Sequence, residues 1–334
     1  MASKDPIPLA PTSVGKAPSA PARSPIALNI PSPVPGSDRL TLSRAFSRFL
    51  VFLGILAVCF IKPLIEAVRY ASKSELNSHI ILIPFVVAYL VHLKRKDLPA
   101  ASKPAPLLAA VAAVLGFLAL VIGRTMIDST DPLARYDYLS WDLLSVVLFA
   151  IGSGFMFFGT AVMRLLAFPA AFLLFVVPIP SALAHLAEVF FQYTSAEAAN
   201  LFLSISNTPF VRDGLVFQLP GINIRVAEEC SGIRSSLVLL ITSLMAGHLF
   251  LTTTWKKTVL ALAVIPLGIL RNGFRIATIG YLCAHVSPRM IDSPIHHRGG
   301  PIFFALSLIP FFVLLHYLRK SEIAKNEPKP LKLS

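Results

Sequence analysis

The sequence predicts an all-α polytopic membrane protein with about eight transmembrane helices, and with a short extracytoplasmic amphipathic helix and a β-hairpin before the sixth span. Three observations lead to this fold class: 55% of the 334 residues are hydrophobic, only 14% are charged, and the mean hydropathy is +0.72. Soluble domains carry about 25% charged residues, and a water-soluble fold could not bury so much apolar side chain. A conventional soluble enzyme, a coiled-coil array and a disulfide-stapled secreted domain are therefore excluded.

Eight apolar segments approach the length of about 20 residues that a transmembrane helix needs. They cover residues 45–66, 79–93, 105–124, 140–160, 161–180, 229–252, 257–284 and 300–318. Before them, residues 1–36 contain nine prolines and cannot bury a core. We therefore expect a disordered Pro-rich cytoplasmic tail at 1–44, a transmembrane domain at 45–318 and a basic cytoplasmic tail at 319–334.

The distribution of basic residues predicts the orientation in the membrane. With the N-terminus in the cytoplasm and alternating spans, 18 of the 30 Lys and Arg residues but only 5 of the 17 acidic residues fall on the inner side. This asymmetry is the positive-inside pattern, so the net charge of +13 indicates a membrane protein and no nucleic-acid partner. We expect a multi-pass protein of the cell (inner) membrane with both termini in the cytoplasm.

Two segments on the predicted outer side are more than connections. Along 181–204, His185, Glu188, Gln192 and Ser195 form one polar stripe on an otherwise apolar helix. The stripe is typical of an interfacial or re-entrant helix. Residues 215–226 then alternate apolar and polar side chains around Pro220-Gly221, which predicts a short β-hairpin.

Cys230 is the first candidate for a chemical role. The sixth apolar segment begins at residue 229, so Cys230 is expected in the first turn of that helix, with Arg234 one turn further on the same face. A helix N-terminus and nearby cations lower the pKa of a thiol, and the thiolate is the nucleophile. Glu228 and Glu229 would oppose ionisation, and a cysteine beside apolar residues is often only a small buried side chain.

Arg271 and Arg275 lie four residues apart, and so on one helix face, within the apolar seventh segment. Each arginine at membrane depth costs about 2.5–3.5 kcal/mol on insertion scales. Such residues usually face a polar cavity and function there. The alternative is that the side chains extend to the lipid headgroups, which suits Arg275 better than Arg271.

His296 and His297 lie in the loop before the eighth segment. Imidazole is the usual proton acceptor for a thiol, although a histidine pair in a loop is often simply solvated. His285 and Asp292 are near in sequence, but no HExxH or other helical ligand spacing is present, so neither a metal site nor a cofactor is expected.

These candidates all map to one predicted face of the membrane. A nucleophile, a cation and a base at the outer ends of three successive spans are the groups that acyl transfer needs. A non-enzymatic transporter or polysaccharide-export component is the alternative, with the two arginines as an anion site. That class favours inverted repeats and charges near the bilayer midplane, and the sequence has no such repeat.

Three ordered motifs resemble those of the exosortase and archaeosortase family. Residues 226–234, VAEECSGIR, resemble its A-x-x-C-S-G-hydrophobic-R signature. Residues 272–275, NGFR, resemble its N-x-x-R, and 296–304 resemble its H-x-x-x-G-x-x-x-F. The P-x-P at 178–180 and the R-x-G-x-x-x-x-L-P at 212–220 are also similar to family elements. The resemblance extends over about residues 78–318, with one departure, the doubled histidine.

The resemblance implies a membrane cysteine peptidase or transpeptidase that sorts exported proteins. Its substrates would carry a C-terminal motif such as Pro-Glu-Pro, a transmembrane helix and a basic tail. Carried over to this chain, Cys230 would form an acyl-thioester, Arg275 would stabilise the oxyanion, and His296 or His297 would transfer the proton. Water, a lipid or a polysaccharide could be the acyl acceptor, the bilayer would be a permanent partner, and the role of Arg271 stays open.

Overall fold

The structure is a computed structural model that describes residues 37–73, 76–99, 103–126, 132–227, 231–295 and 299–326. Most of these residues are helical, and a small sheet follows the seventh helix. The helices are α1 Ser37–Cys59, α2 Ile61–Lys73, α3 His79–Lys94, α4 Pro106–Met126, α5 Pro132–Leu165, α6 Ala167–Phe172, α7 Ser181–Ile205, α8 Ile233–Phe250, α9 Thr254–Leu262, α10 Val264–His285 and α11 Gly300–Asn326. The strands are β1 Val211–Asp213, β2 Val216–Leu219 and β3 Ile222–Arg225, and short 3-10 helices cover Leu173–Val176 and Pro288–Asp292.

Five helical segments of the described chain are long and apolar enough to cross a membrane. They are Pro106–Thr125, Tyr136–Leu165, Ile233–Phe250, Thr254–His285 and Gly300–Ala324. Two bent pairs raise the number to seven if each forms one span: Ser43–Cys59 with Ile61–Lys73, bent by 77°, and Ala167–Val176 with Ser181–Ile205, bent by 89°. The predicted count of eight would also require α3, whose 16 residues are just below the usual minimum of about 17.

The segment predicted as the fifth span, 161–180, is not one continuous helix. Its start belongs to α5, which is interrupted at Gly159 by a positive φ of 75°. Its remainder is α6, the 3-10 helix Leu173–Val176 and extended chain that begins at Val177. Pro178 and Pro180 explain the end of the helix, because proline cannot donate a backbone hydrogen bond and disfavours helical geometry in the preceding residue. Hydropathy alone did not mark this boundary.

The helical region is longer than the predicted transmembrane domain at both of its ends. Helix α1 begins at Ser37, eight residues before the predicted start at 45. Helix α11 ends at Asn326, eight residues after the predicted end at 318. Most of the added residues are polar or charged, so the hydropathy pattern that placed the boundaries did not include them.

Helices α7 and α10 lie side by side and run in the same direction. Gly273 of α10 approaches so closely that an added Cβ would collide with the Cβ of Ala198 and lie 2.9 Å from the backbone nitrogen of Ala199. Further along, a Cβ at Gly280 would lie 3.3 Å from Leu203. Small residues on both helices thus permit close backbone packing, as is common between membrane helices.

Helix α7 exposes large apolar side chains and buries part of its polar stripe. Leu186 and Phe190 are exposed, whereas Gln192 and Ser195 are buried. An interfacial helix would turn its polar stripe toward water. The stripe predicted for 181–204 instead turns Gln192 and Ser195 toward the protein interior.

A three-stranded antiparallel sheet, in the order β1-β2-β3, occupies the segment for which a two-stranded hairpin was predicted. The tight turn at Gly221, with a φ of 82°, joins β2 to β3. Phe217 and Ile224 from the sheet pack with Leu203 of α7 and Ile276 of α10 in one buried cluster. The sheet therefore covers the C-terminal halves of α7 and α10.

Candidate active site

Helix α10 forms the centre of the candidate site because α7, α8, α11 and the sheet all pack against it. Helix α8 runs antiparallel to α10: Gly232, just before α8, meets Asn272, and Ser236, in the first turn of α8, meets Gly268 earlier in α10. Ten residues of α10 continue past Arg275 to His285, alongside the sheet. The arginine-containing part of α10 thus lies where the helical bundle meets the sheet.

Gly232 closes the chain tightly onto α10. Its φ of 80° is in the left-handed region that favours glycine. An added Cβ would lie 2.9 Å from Cγ of Asn272 and 3.0 Å from Nη2 of Arg271, so this position has no room for a side chain. Both backbone geometry and space therefore require glycine at the second residue after Cys230.

Arg271 forms a hydrogen bond to this same turn at Gly232. Its Nη2 donates a hydrogen bond to the carbonyl oxygen of Gly232 at 3.1 Å, and the residue is only 8% exposed. The neighbouring Asn272 is 2% exposed. Arg271 is thus buried against the chain that follows Cys230, and its side chain does not extend to lipid headgroups.

A pocket of about 170 Å³ lies between β3 and α10. Residues 223–227, from β3 and the chain after it, form one wall. Asn272, Arg275, Ile276 and Ile279 form the opposite wall, at a spacing that places them on one helix face. Ile291 of the second 3-10 helix completes the lining.

Arg275 is the predicted site residue that the structure describes directly, and it lines this pocket. Its side chain is half-buried. Arg271 and Arg275 are one helical turn apart, and their guanidinium groups have different surroundings. That of Arg271 contacts the turn at Gly232, and that of Arg275 faces the pocket.

Cys230 lies outside the described residues, but the chain on both sides of residues 228–230 is described. Ala227 lines the pocket that contains Arg275, and Ser231 is buried beside Gly232. Helix α8 begins at Ile233, because Gly232 has a left-handed conformation. The prediction that Cys230 lies in the first turn of this helix is therefore wrong; Cys230 precedes the helix by three residues.

His296 and His297 also lie outside the described residues. Before them, Ile291 lines the pocket. After them, the backbone nitrogen of Gly299 donates to the carbonyl oxygen of Ile295 at 3.1 Å, and the ring of Phe303 lies 6.1 Å from that of Phe274 on α10. The chain thus lies next to α10 both before and after the two histidines.

Two contacts of the site were not predicted from the sequence. The Gln192 side chain donates to the carbonyl oxygen of Val226 at 2.6 Å, and so ties α7 to the chain just before residues 228–230. Arg225 lines the same pocket from β3, on the wall opposite Arg275. Gln192 could be found only as part of the polar stripe, and Arg225 as the last polar residue of the alternating pattern.

The other two cysteines are separate from the pocket lining. Cys59 is exposed near the end of α1. Cys283 is buried in the cluster between α7, α10 and the sheet, and its Sγ lies 3.9 Å from the carbonyl oxygen of Pro288. Within the described ranges, no group of three or more His, Cys, Asp or Glu side chains is arranged to hold a metal ion.

The comparisons with known proteins identify the family. The model of the family described as transmembrane exosortase (Exosortase_EpsH) matches residues 71–313. No curated protein and no solved structure gave a significant match. The matched range covers well over half of the chain and contains every residue of the candidate site, which confirms the resemblance seen in the motifs. This multi-pass membrane protein therefore belongs to the transmembrane exosortase family.

Proposed function

We propose that this exosortase is a cysteine peptidase or transpeptidase that cleaves the C-terminal sorting signals of exported proteins at the outer face of the membrane. Cys230 is the nucleophile, Arg275 stabilises the oxyanion, and His296 or His297 transfers the proton. The substrates carry a short motif, a transmembrane helix and a basic tail.

One observation carries the proposal: Ala227, Arg275 and Ile291 line the same pocket. Ala227 stands three residues before Cys230, and Ile291 stands five residues before His296. A nucleophile and a base that meet at Arg275 would form the constellation that acyl transfer requires. The apolar walls contributed by Ile276 and Ile279 would limit the access of water to such a site.

The chemistry follows from the three groups. The Cys230 thiolate attacks the carbonyl carbon of the scissile amide, and the negative charge that develops on the oxygen is held by the Arg275 guanidinium. Such a donor is typically worth about 10²–10³ in rate. The C–N bond then breaks, the histidine protonates the leaving amine, and a thioester remains on Cys230. Water resolves the thioester to a carboxylate, whereas a lipid or polysaccharide nucleophile resolves it to a transfer product.

The experiment is processing of a co-expressed exported protein with a Pro-Glu-Pro motif, a transmembrane helix and a basic tail, followed by immunoblot at matched expression. Cys230→Ala and Cys230→Ser should both abolish processing, because alanine has no nucleophilic atom and the serine hydroxyl stays protonated at a pH where a thiol can ionise. Cys59→Ala and Cys283→Ala are matched controls and should process normally, since neither cysteine lines the pocket. Normal processing by Cys230→Ala would end the thioester mechanism.

The same assay separates the two histidines. His296→Ala should lose more processing than His297→Ala, because the four-residue spacing from His296 to Gly300 fits the family motif. If both single variants are fully active, the double variant decides the question: loss in the double variant means mutual substitution, and full activity excludes a histidine from the mechanism.

A further inference from the structure

The outer edge of β3 is the side of the strand that faces away from β2. Strand β3 pairs with β2 along one side only, and within the described ranges no other strand pairs with it. In antiparallel pairs, alternate residues direct their N–H and C=O groups toward the partner strand. The backbone nitrogen of Val226 donates to Leu215 at 2.9 Å, so Val226 and Ile224 face β2. By the same alternation, the backbone groups of Asn223 and Arg225 point away from the sheet.

This edge runs beside the pocket. Five consecutive residues, 223–227, form the pocket wall opposite α10. Because an extended chain rises about 3.3 Å per residue, such a wall is about 17 Å long. A pocket with an open strand edge along one side and a helix face along the other has the shape that receives an extended peptide as an added strand.

The charges of the lining indicate which peptide would fit. Arg225 is exposed, and it forms neither a hydrogen bond nor an ion pair with any other described residue. Among the described residues, the lining contains two arginines and no acidic side chain. The side chains of Asn223 and Arg225 lie on the same face of β3, the face opposite that of buried Ile224. A residue placed directly across from Arg225 on an added strand would project on that same face, within reach of the guanidinium.

We propose that β3 binds the substrate as a fourth strand of the sheet, with an acidic residue of the substrate paired opposite Arg225. This inference rests on the proposed function, because it describes how the substrate reaches the same pocket. On the added strand, only the acidic residue and the residues two positions before and after it would form backbone hydrogen bonds with β3. The residues directly before and after it need no N–H group toward the sheet, so proline is accepted at both positions.

The test measures peptide binding without turnover. The full-length Cys230→Ala protein is placed in lipid nanodiscs, and a short fluorescent peptide with Pro-Glu-Pro at its centre is titrated by anisotropy. Glu→Gln in the peptide and Arg225→Gln in the protein should each weaken binding about 10- to 100-fold, the usual effect of losing a hydrogen bond between charged groups. When both changes are present, the second should add little, because the two groups interact with each other. Arg289→Gln, an exposed arginine outside the lining, should change affinity less than about twofold.

Backbone methylation of the peptide tests the added strand independently of any protein variant. N-methylation of the glutamate, or of the residue two positions after it, should weaken binding about tenfold or more, because these N–H groups face β3. N-methylation three positions after the glutamate should have little effect, because that N–H faces away. Equal losses at facing and non-facing positions, no effect of Arg225→Gln, or no binding of the peptide would overturn the inference.

Cleavage by the protein with Cys230 intact keeps this inference separate from the proposed function. If N-methylation weakens peptide binding at alternate positions but the parent substrate is never cleaved, the result would support strand addition and contradict the proposed peptidase activity. Cleavage of the substrate without the alternating pattern would support the activity and overturn strand addition.

Discussion

Arg271 and Arg275 occupy equivalent positions on successive turns of α10, and their surroundings separate their roles. Arg271 is almost fully buried and donates to the carbonyl oxygen of Gly232. Arg275 is half-buried and lines the pocket. Arg271 therefore holds the turn after Cys230, whereas Arg275 faces the pocket.

The geometry of Arg275 leads to a prediction about lysine. Arg275→Lys keeps the positive charge but loses the planar fork that can hold an oxyanion through two donors. We expect Arg275→Lys to process the tailed substrate almost as poorly as Arg275→Ala, with a loss of about 10²-fold or more in rate. The measurement is the rate of substrate cleavage by immunoblot at matched expression.

Substantial activity in Arg275→Lys would contradict this role. It would mean that Arg275 acts mainly through its charge, by favouring the thiolate form of Cys230. We favour the first role because a permanent and weakly hydrated cation suits a site at the edge of a membrane better than a mobile ammonium does.

At the scale of single residues, the sequence predicted that Arg271 and Arg275 face a polar cavity, but it left the role of Arg271 open. The cost of burying an arginine in an apolar segment indicates a partner, yet the partner is a backbone carbonyl, which any residue has. The start of α8 was misplaced for a related reason. Hydropathy does not record that Gly232 adopts a left-handed conformation against Asn272.

At the scale of elements, the contact between α7 and α10 depends on glycine. Gly273→Ala should destabilise the protein by about 1–3 kcal/mol, because the new methyl group must displace the backbone of α7 at Ala198 and Ala199. Gly54→Ala in α1 is the matched control: no atom lies within 4 Å of its added Cβ, so it should be neutral or slightly stabilising. The measurement is the apparent Tm in detergent, by size-exclusion chromatography of a fluorescent fusion after heating.

An apparent Tm that falls equally in both glycine variants would contradict this account of the interface. It would assign the effect to the helices themselves and not to their contact. Gly273 lies next to Asn272 and two residues before Arg275, and both of these residues line the pocket. A loss of stability specific to Gly273→Ala would therefore also connect the α7–α10 contact to the geometry of the pocket.

Several elements could be predicted from the sequence because their patterns are local. Apolar length identified the segments that became α4, α8 and α11, and alternation around Pro220-Gly221 marked the chain that forms β2 and β3. Strand β1 was missed because three residues are too few to show alternation. The burial of the polar stripe on α7 was missed because it depends on later parts of the chain: Gln192 donates to Val226, which is 34 residues further on, and α10 packs against α7.

At the scale of the whole molecule, helix ends that the charge pattern assigns to one side of the membrane also lie together in space. Near the end of α8, His248 stacks on Phe168 at a ring distance of 3.8 Å and lies close enough to Lys94 and Lys257 to interact with their charges. At the opposite end of α10, Nε2 of His285 lies 3.5 Å from the hydroxyl oxygen of Thr208, just before the sheet. The basic segments around Lys94 and Lys257 and the sheet therefore lie at opposite ends of the helical segment Thr254–His285, which contains α10.

This arrangement allows a direct test of the predicted topology, in which the basic segments are cytoplasmic and the sheet lies outside. Reporter fusions after Lys96, Lys257 and Arg319 should report the cytoplasm, because basic loops are retained on that side. Fusions after Arg135, Val211 and His285 should report the outside. Paired reporters, one active only in the cytoplasm and one active only outside, provide the measurement, and the Lys257 and His285 fusions form the decisive pair because they flank the helix that carries Arg275. If the Lys257 fusion reported the outside and the His285 fusion the cytoplasm, the pocket would open on the inner face, where exported proteins could not reach it after translocation.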